Sequence, residues 1–118
     1  MTQLTRFYIY KLQTPEGPVT LSLTIGNAQS ATTSLYMDGA ALLTNKRDSF
    51  SFDIPATPSL SGKELDVSTT VLDVSTQSDN INFRIKLSGG QAVLNPPGDT
   101  LRVEPNGVAY ILIKVIFV

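Results

Sequence analysis

Apolar side chains recur at every second position along this chain and almost never at the three-and-four spacing of a helix. Val19, Leu21, Leu23 and Ile25 alternate with Thr20, Ser22 and Thr24, the pattern of a strand with one face on a core and one in water. The same period runs through Phe50, Phe52 and Ile54, through Leu65, Val67, Thr69 and Val71, and through Ile81, Phe83, Ile85 and Leu87. A first strand is predicted over residues 6–13, with Phe7 and Ile9 on one face and Tyr8, Tyr10 and Leu12 on the other. Both of its faces are expected to be at least partly covered.

Turn residues break this pattern at short intervals. Thr14-Pro15-Glu16-Gly17-Pro18 and Asn95-Pro96-Pro97-Gly98-Asp99 cannot sit inside a ladder, because proline has no N–H to donate. Irregular loops are expected at residues 26–31, 55–62 and 75–80. Asp38-Gly39 is a strong hairpin signal, since a type I′ turn needs positive φ at both central residues. A two-residue turn there sets Met37 opposite Ala40 and Leu35 opposite Leu42, with Tyr36, Ala41 and Leu43 on the other face. Gly89-Gly90 and Asn106-Gly107 predict two further hairpins.

About eight or nine strands result, with no helical segment long enough for a parallel crossover. The expected fold is one all-β domain over residues 1–118: an antiparallel two-sheet sandwich, immunoglobulin-like or jelly-roll, with a small closed β-barrel as the alternative. The cysteine and tryptophan signature of antibody domains is absent, so the likeness is to an architecture and not to that family.

Composition narrows the chemistry. The 118 residues include no histidine, cysteine or tryptophan. Without imidazole or thiolate, the usual nucleophilic triads and zinc, copper or iron sites lack their parts. Carboxylates remain, and a glycosidase pair is the enzyme alternative to a non-enzymatic domain. Asp73 and Asp79 with Asn80, or Asp48 with Asp53, offer oxygen donors for calcium, but not at the dense spacing of a dedicated loop. Ordinary turn hydrogen bonding accounts for such residues, so no metal site and no cofactor are expected. Nine basic and ten acidic side chains nearly cancel and are scattered, which disfavours nucleic acid and anionic membranes as partners. The longest apolar run, residues 108–118, is too short for a membrane helix and contains Lys114. The start, Met1 to Arg6, lacks the apolar run of a signal peptide, so the expected setting is cytoplasmic, virion-associated, or that of a trimmed extracellular domain.

That last run carries the main functional expectation. Paired through the Asn106-Gly107 turn, Leu101, Val103, Ala109, Ile111, Ile113, Val115 and Phe117 fall on the core side. The opposite side holds Val108, Tyr110, Leu112, Lys114, Ile116 and Val118, which is apolar apart from Lys114. Either a loop from residues 55–62 or the Pro96-Pro97 segment covers that side, or another chain does. Tyr110, Leu112, Lys114, Ile116 and Val118 are therefore the candidate partner-binding set. They would serve self-association or docking on a protein partner, by the outer face or by the strand edge. A second candidate is a ligand face of Asn82, Arg84 and Lys86 with Arg102, beside Tyr110 if their strands are neighbours, able to hydrogen-bond a glycan or a peptide.

Overall fold

The structure is a computed structural model that describes residues 2–26, 30–55, 59–73 and 79–118, and all structural statements concern these. Met1 and the middles of the loops expected at 26–31, 55–62 and 75–80 lie outside the described residues.

Period-two alternation produces strands throughout: β1 (Thr2–Tyr10), β2 (Val19–Gly26), β3 (Ser30–Met37), β4 (Ala40–Arg47), β5 (Phe50–Ile54), β6 (Glu64–Leu72), β7 (Asn80–Ser88), β8 (Asp99–Arg102) and β9 (Val108–Phe117). They form two sheets. Sheet A has the order β1-β9-β6-β3-β4, and sheet B the order β5-β2-β7-β8. One continuous core lies between them, drawn from the inward residues of both sheets, with Leu21, Ile85, Ile111 and Phe117 among its fully buried members.

Three expectations are corrected. Sheet A is mixed, because β1 runs parallel to β9, from Thr2 opposite Ala109 to Tyr10 opposite Phe117; sheet B alone is wholly antiparallel. A parallel pair needs a long connection, and here the whole domain lies between its two strands. The sheets do not close into a barrel, so that alternative falls. The Asn106-Gly107 turn does not make a hairpin: β8 pairs with β7 in sheet B while β9 pairs with β1 and β6 in sheet A. The turn carries the chain from one sheet to the other, and the inward residues on both sides of it still meet in the core.

The Asp38-Gly39 turn forms as expected, with positive φ at both residues and Met37 opposite Ala40. Leu35 pairs with Leu43 and not with Leu42, because the β3–β4 ladder shifts register between Leu35 and Tyr36, and it shifts again between Thr33 and Leu35. Asn45, on the bulged β4, takes a φ of 55°, and its N–H is held by the Ser34 hydroxyl at 3.1 Å. The Gly89-Gly90 reversal yields a single bridge, Leu87 to Leu94, in place of a full second strand. Here both glycines are required by space, and Gly89 also by its φ of 100°. A Cβ on Gly89 would meet the Pro18 carbonyl oxygen at 2.1 Å, and one on Gly90 would press on the Tyr10 ring at 2.7 Å.

Candidate functional site

The outward residues of sheet A are fixed by its register. Reading across β1, β9 and β6, Ile9 stands beside Ile116 and Glu64, Phe7 beside Lys114 and Asp66, Thr5 beside Leu112 and Ser68, and Gln3 beside Tyr110 and Thr70. Leu72 lies beside Val108 at the far end, and Tyr36 of β3 continues the Lys114 row. No described loop closes this face: Phe7 is 57% exposed, Ile9 63% and Tyr110 43%, while Leu112 and Ile116 are half-buried by their neighbours in the sheet. Val118 is exposed at the chain's end.

All five candidate partner-binding residues therefore share one accessible surface. Strand addition on β9 itself is excluded, because both of its edges are already hydrogen-bonded, to β1 and to β6. The free edge of that side belongs to β1, whose outer face, expected to be at least partly covered, leaves Phe7 and Ile9 largely exposed.

Those two residues extend the candidate surface. Their place beside Lys114 and Ile116 depends on the parallel pairing, which no turn signal reveals; the only hint was their alternation with Tyr8 and Tyr10. A hollow of about 280 Å³ bounded by Gln3, Thr5, Ser68, Tyr110 and Leu112 adds relief that a protruding side chain could fill.

Charge on this face is local and of both signs. Glu64 and Asp66 are two positions apart on one face of β6, and the Glu64 carboxyl is held above the usual carboxylate range. Hydrogen bonding to Asp66 is the main cause, followed by burial and Asp66's charge, while Lys114 opposes the shift. One cation thus stands beside two acids within an apolar field.

Sheet B presents a contrasting outer face. Thr20 bonds Asp53 at 2.8 Å, Ser22 meets Ser51 at 3.0 Å, and Thr100 donates to Asn82 at 3.0 Å, so cross-strand polar pairs cover it. Asn82, Arg84, Lys86 and Arg102 all lie here, the last opposite Asn80. Asn82 and Arg84, with Thr24, Gly98, Asp99 and Thr100, line a shallow groove of about 400 Å³, whereas Lys86 and Arg102 stand outside it. Tyr110 belongs to the other sheet and is not brought to this face. Arg6 of β1 donates to Asp99 at 2.8 Å and joins the two sheets at the groove's rim.

Among the described residues no group of three or more acidic side chains is placed to hold a metal ion. Among the described residues no helix is long and apolar enough to cross a membrane. Comparison with protein-family models, with curated proteins and with solved structures finds no match to this chain.

Proposed function

We propose that this domain is a non-enzymatic assembly or adhesion module that pairs with a second copy of itself through the outer face of sheet A. The observation that carries this reading is the set of apolar residues Phe7, Ile9, Tyr110, Leu112, Ile116 and Val118 on one face, interrupted at Lys114 and left open by the described loops. Five strands span about 24 Å and a nine-residue strand about 30 Å, so the whole outer face, polar rows included, is about 700 Å². That is close to the roughly 800 Å² that each partner contributes to a stable interface.

The charges suit a two-fold pairing. Lys114 beside Glu64 and Asp66 makes the surface self-complementary, since rotation sets the lysine of one copy toward the acids of the other. The finer architecture we infer is an immunoglobulin-like or jelly-roll sandwich. The passage of the chain between sheets at β1–β2, β2–β3, β4–β5, β5–β6, β6–β7 and β8–β9 supports it.

Leu112→Glu places a charge at the centre of this face without touching the core. The variant is expected to run as a folded monomer at concentrations where the native chain associates. A Leu112→Glu protein with native circular dichroism and unchanged assembly would overturn the reading.

A carbohydrate-binding module is the second reading, favoured by the polar groove at Asn82, Arg84, Asp99 and Thr100. No exposed aromatic ring lines that groove to stack on a sugar, which places it second.

A further inference from the structure

At the end of sheet A opposite the Asp38-Gly39 turn, Asp73 directly follows β6 and Asp79 directly precedes β7. Asp73 is only 3% exposed, yet among the described residues neither oxygen of its ionised carboxylate has a hydrogen-bond donor. Buried carboxylates are normally paired or multiply hydrogen-bonded, because removing the charge from water costs several kcal/mol, on the order of an ion's effective burial penalty. The position is nevertheless fixed by backbone: Asp73 N–H donates to the Gly107 carbonyl at 3.0 Å, and the Asp79 carbonyl accepts from Val103 N–H at 2.7 Å. Backbone bonds thus tie both aspartates to the segment that follows β8.

Asp79 is the neighbour it faces. The Asp79 carboxyl is raised above its ordinary value, chiefly by hydrogen bonding to Asp73, then by burial and by the Asp73 charge, with Arg102 opposing. As carboxylates the two are both acceptors, so a hydrogen bond between them exists only when one carries a proton. Arg102 is the positive charge that opposes the shift at Asp79.

We propose that Asp73 and Asp79 form a binding site for a hard divalent cation, Ca²⁺ in preference to Mg²⁺. The donors are oxygens only, and the chain has no histidine or cysteine to recruit a softer metal. Ca²⁺ tolerates irregular geometry and completes its shell with water and carbonyls, whereas Mg²⁺ demands a near-ideal octahedron. With two carboxylates the affinity falls in the weak range, Kd about 0.1 to 1 mM. The cation ties β6 to β7 at the end where Asp73 and Asp79 meet, and it serves the fold independently of any pairing through sheet A.

The test is denaturant unfolding of the full chain at pH 7.5 after EDTA treatment, with CaCl2 titrated at constant ionic strength. For a Kd near 0.3 mM, 10 mM Ca²⁺ should lower the unfolding constant about 30-fold, saturably, with MgCl2 weaker. Asp73→Asn and Asp79→Asn should each abolish the dependence; if the buried Asp73→Asn protein fails to fold, Asp79→Asn decides alone. Absence of a Ca²⁺ effect at 10 mM, or an equal effect in the Asp79→Asn protein, overturns the proposal. The first outcome would leave a carboxyl pair sharing a proton, recognised by stability that falls as pH rises through the raised Asp79 value.

Discussion

Tyr10→Phe isolates one hydroxyl that binds β1 to the far side of the sandwich. The Tyr10 ring is buried edge-on against Phe117, with centroids 6.3 Å apart, and phenylalanine preserves that contact. Its hydroxyl donates to the Ala92 carbonyl at 2.8 Å and accepts from Gly90 N–H at 2.8 Å; the Leu87 carbonyl, 3.4 Å away, already receives Leu94 N–H. Removing the hydroxyl has unequal consequences. Ala92 sits on an exposed loop and its carbonyl can turn to water, but Gly90 is buried and its N–H is left without a partner. One buried unsatisfied donor costs about 1 to 3 kcal/mol, so a loss of about 2 kcal/mol is expected. For a domain of this size that lowers Tm by roughly 6 to 10 °C. Urea unfolding should show a lower midpoint with an unchanged slope, and the Gly90 amide should exchange faster with solvent. A change below about 0.5 kcal/mol would refute the reasoning, since it would mean the hydroxyl does not hold residues 89–94 in place.

Two further perturbations probe the core and the β1–β2 connection. Thr33 and Thr69 are buried and pair through their hydroxyls at 2.8 Å, so Thr33→Val alone should cost about 1 to 2 kcal/mol. Thr33→Val with Thr69→Val should recover most of that, and a double-mutant cycle with no coupling would contradict the pairing. Glu16 is held below the usual carboxylate range by the Ser59 hydroxyl and then by Leu60 N–H, the latter at 2.8 Å. A depressed folded value stabilises above the unfolded one, near 4.5, and that contribution disappears as pH falls through the folded value. Glu16→Gln should therefore be less stable than the native chain at pH 7, with the difference closing in acid; a difference independent of pH would contradict the assignment.

Alternation made the inward and outward sets legible, because a period of two leaves little choice once one face is apolar. Ile81, Phe83, Ile85 and Leu87 are buried and Asn82, Arg84 and Lys86 exposed, as the pattern of residues 81–88 required. Partnership between strands was less legible. Asn106-Gly107 announces a reversal, but the same turn chemistry serves a hairpin and a passage between sheets. The parallel seating of β1 on β9 joins residues from opposite ends of the chain, and local sequence carries no mark of it. For that reason Lys114 and Ile116 could be grouped with Tyr110 and Leu112 by period alone, while Phe7 and Ile9 could not be placed beside them. The one-residue slip that pairs Leu35 with Leu43 escaped for a related reason: it arises between Leu35 and Tyr36, inside the ladder, where no turn residue marks it.

The self-pairing of sheet A is tested most directly by the solution mass of the unmodified chain, measured by light scattering across a wide concentration range. The expected result is a concentration-dependent rise from 12.7 kDa toward twice that value, with protection from hydrogen exchange appearing around Leu112 and Ile116. A constant 12.7 kDa at the highest attainable concentration, with Tyr110 and Leu112 unprotected, would contradict it.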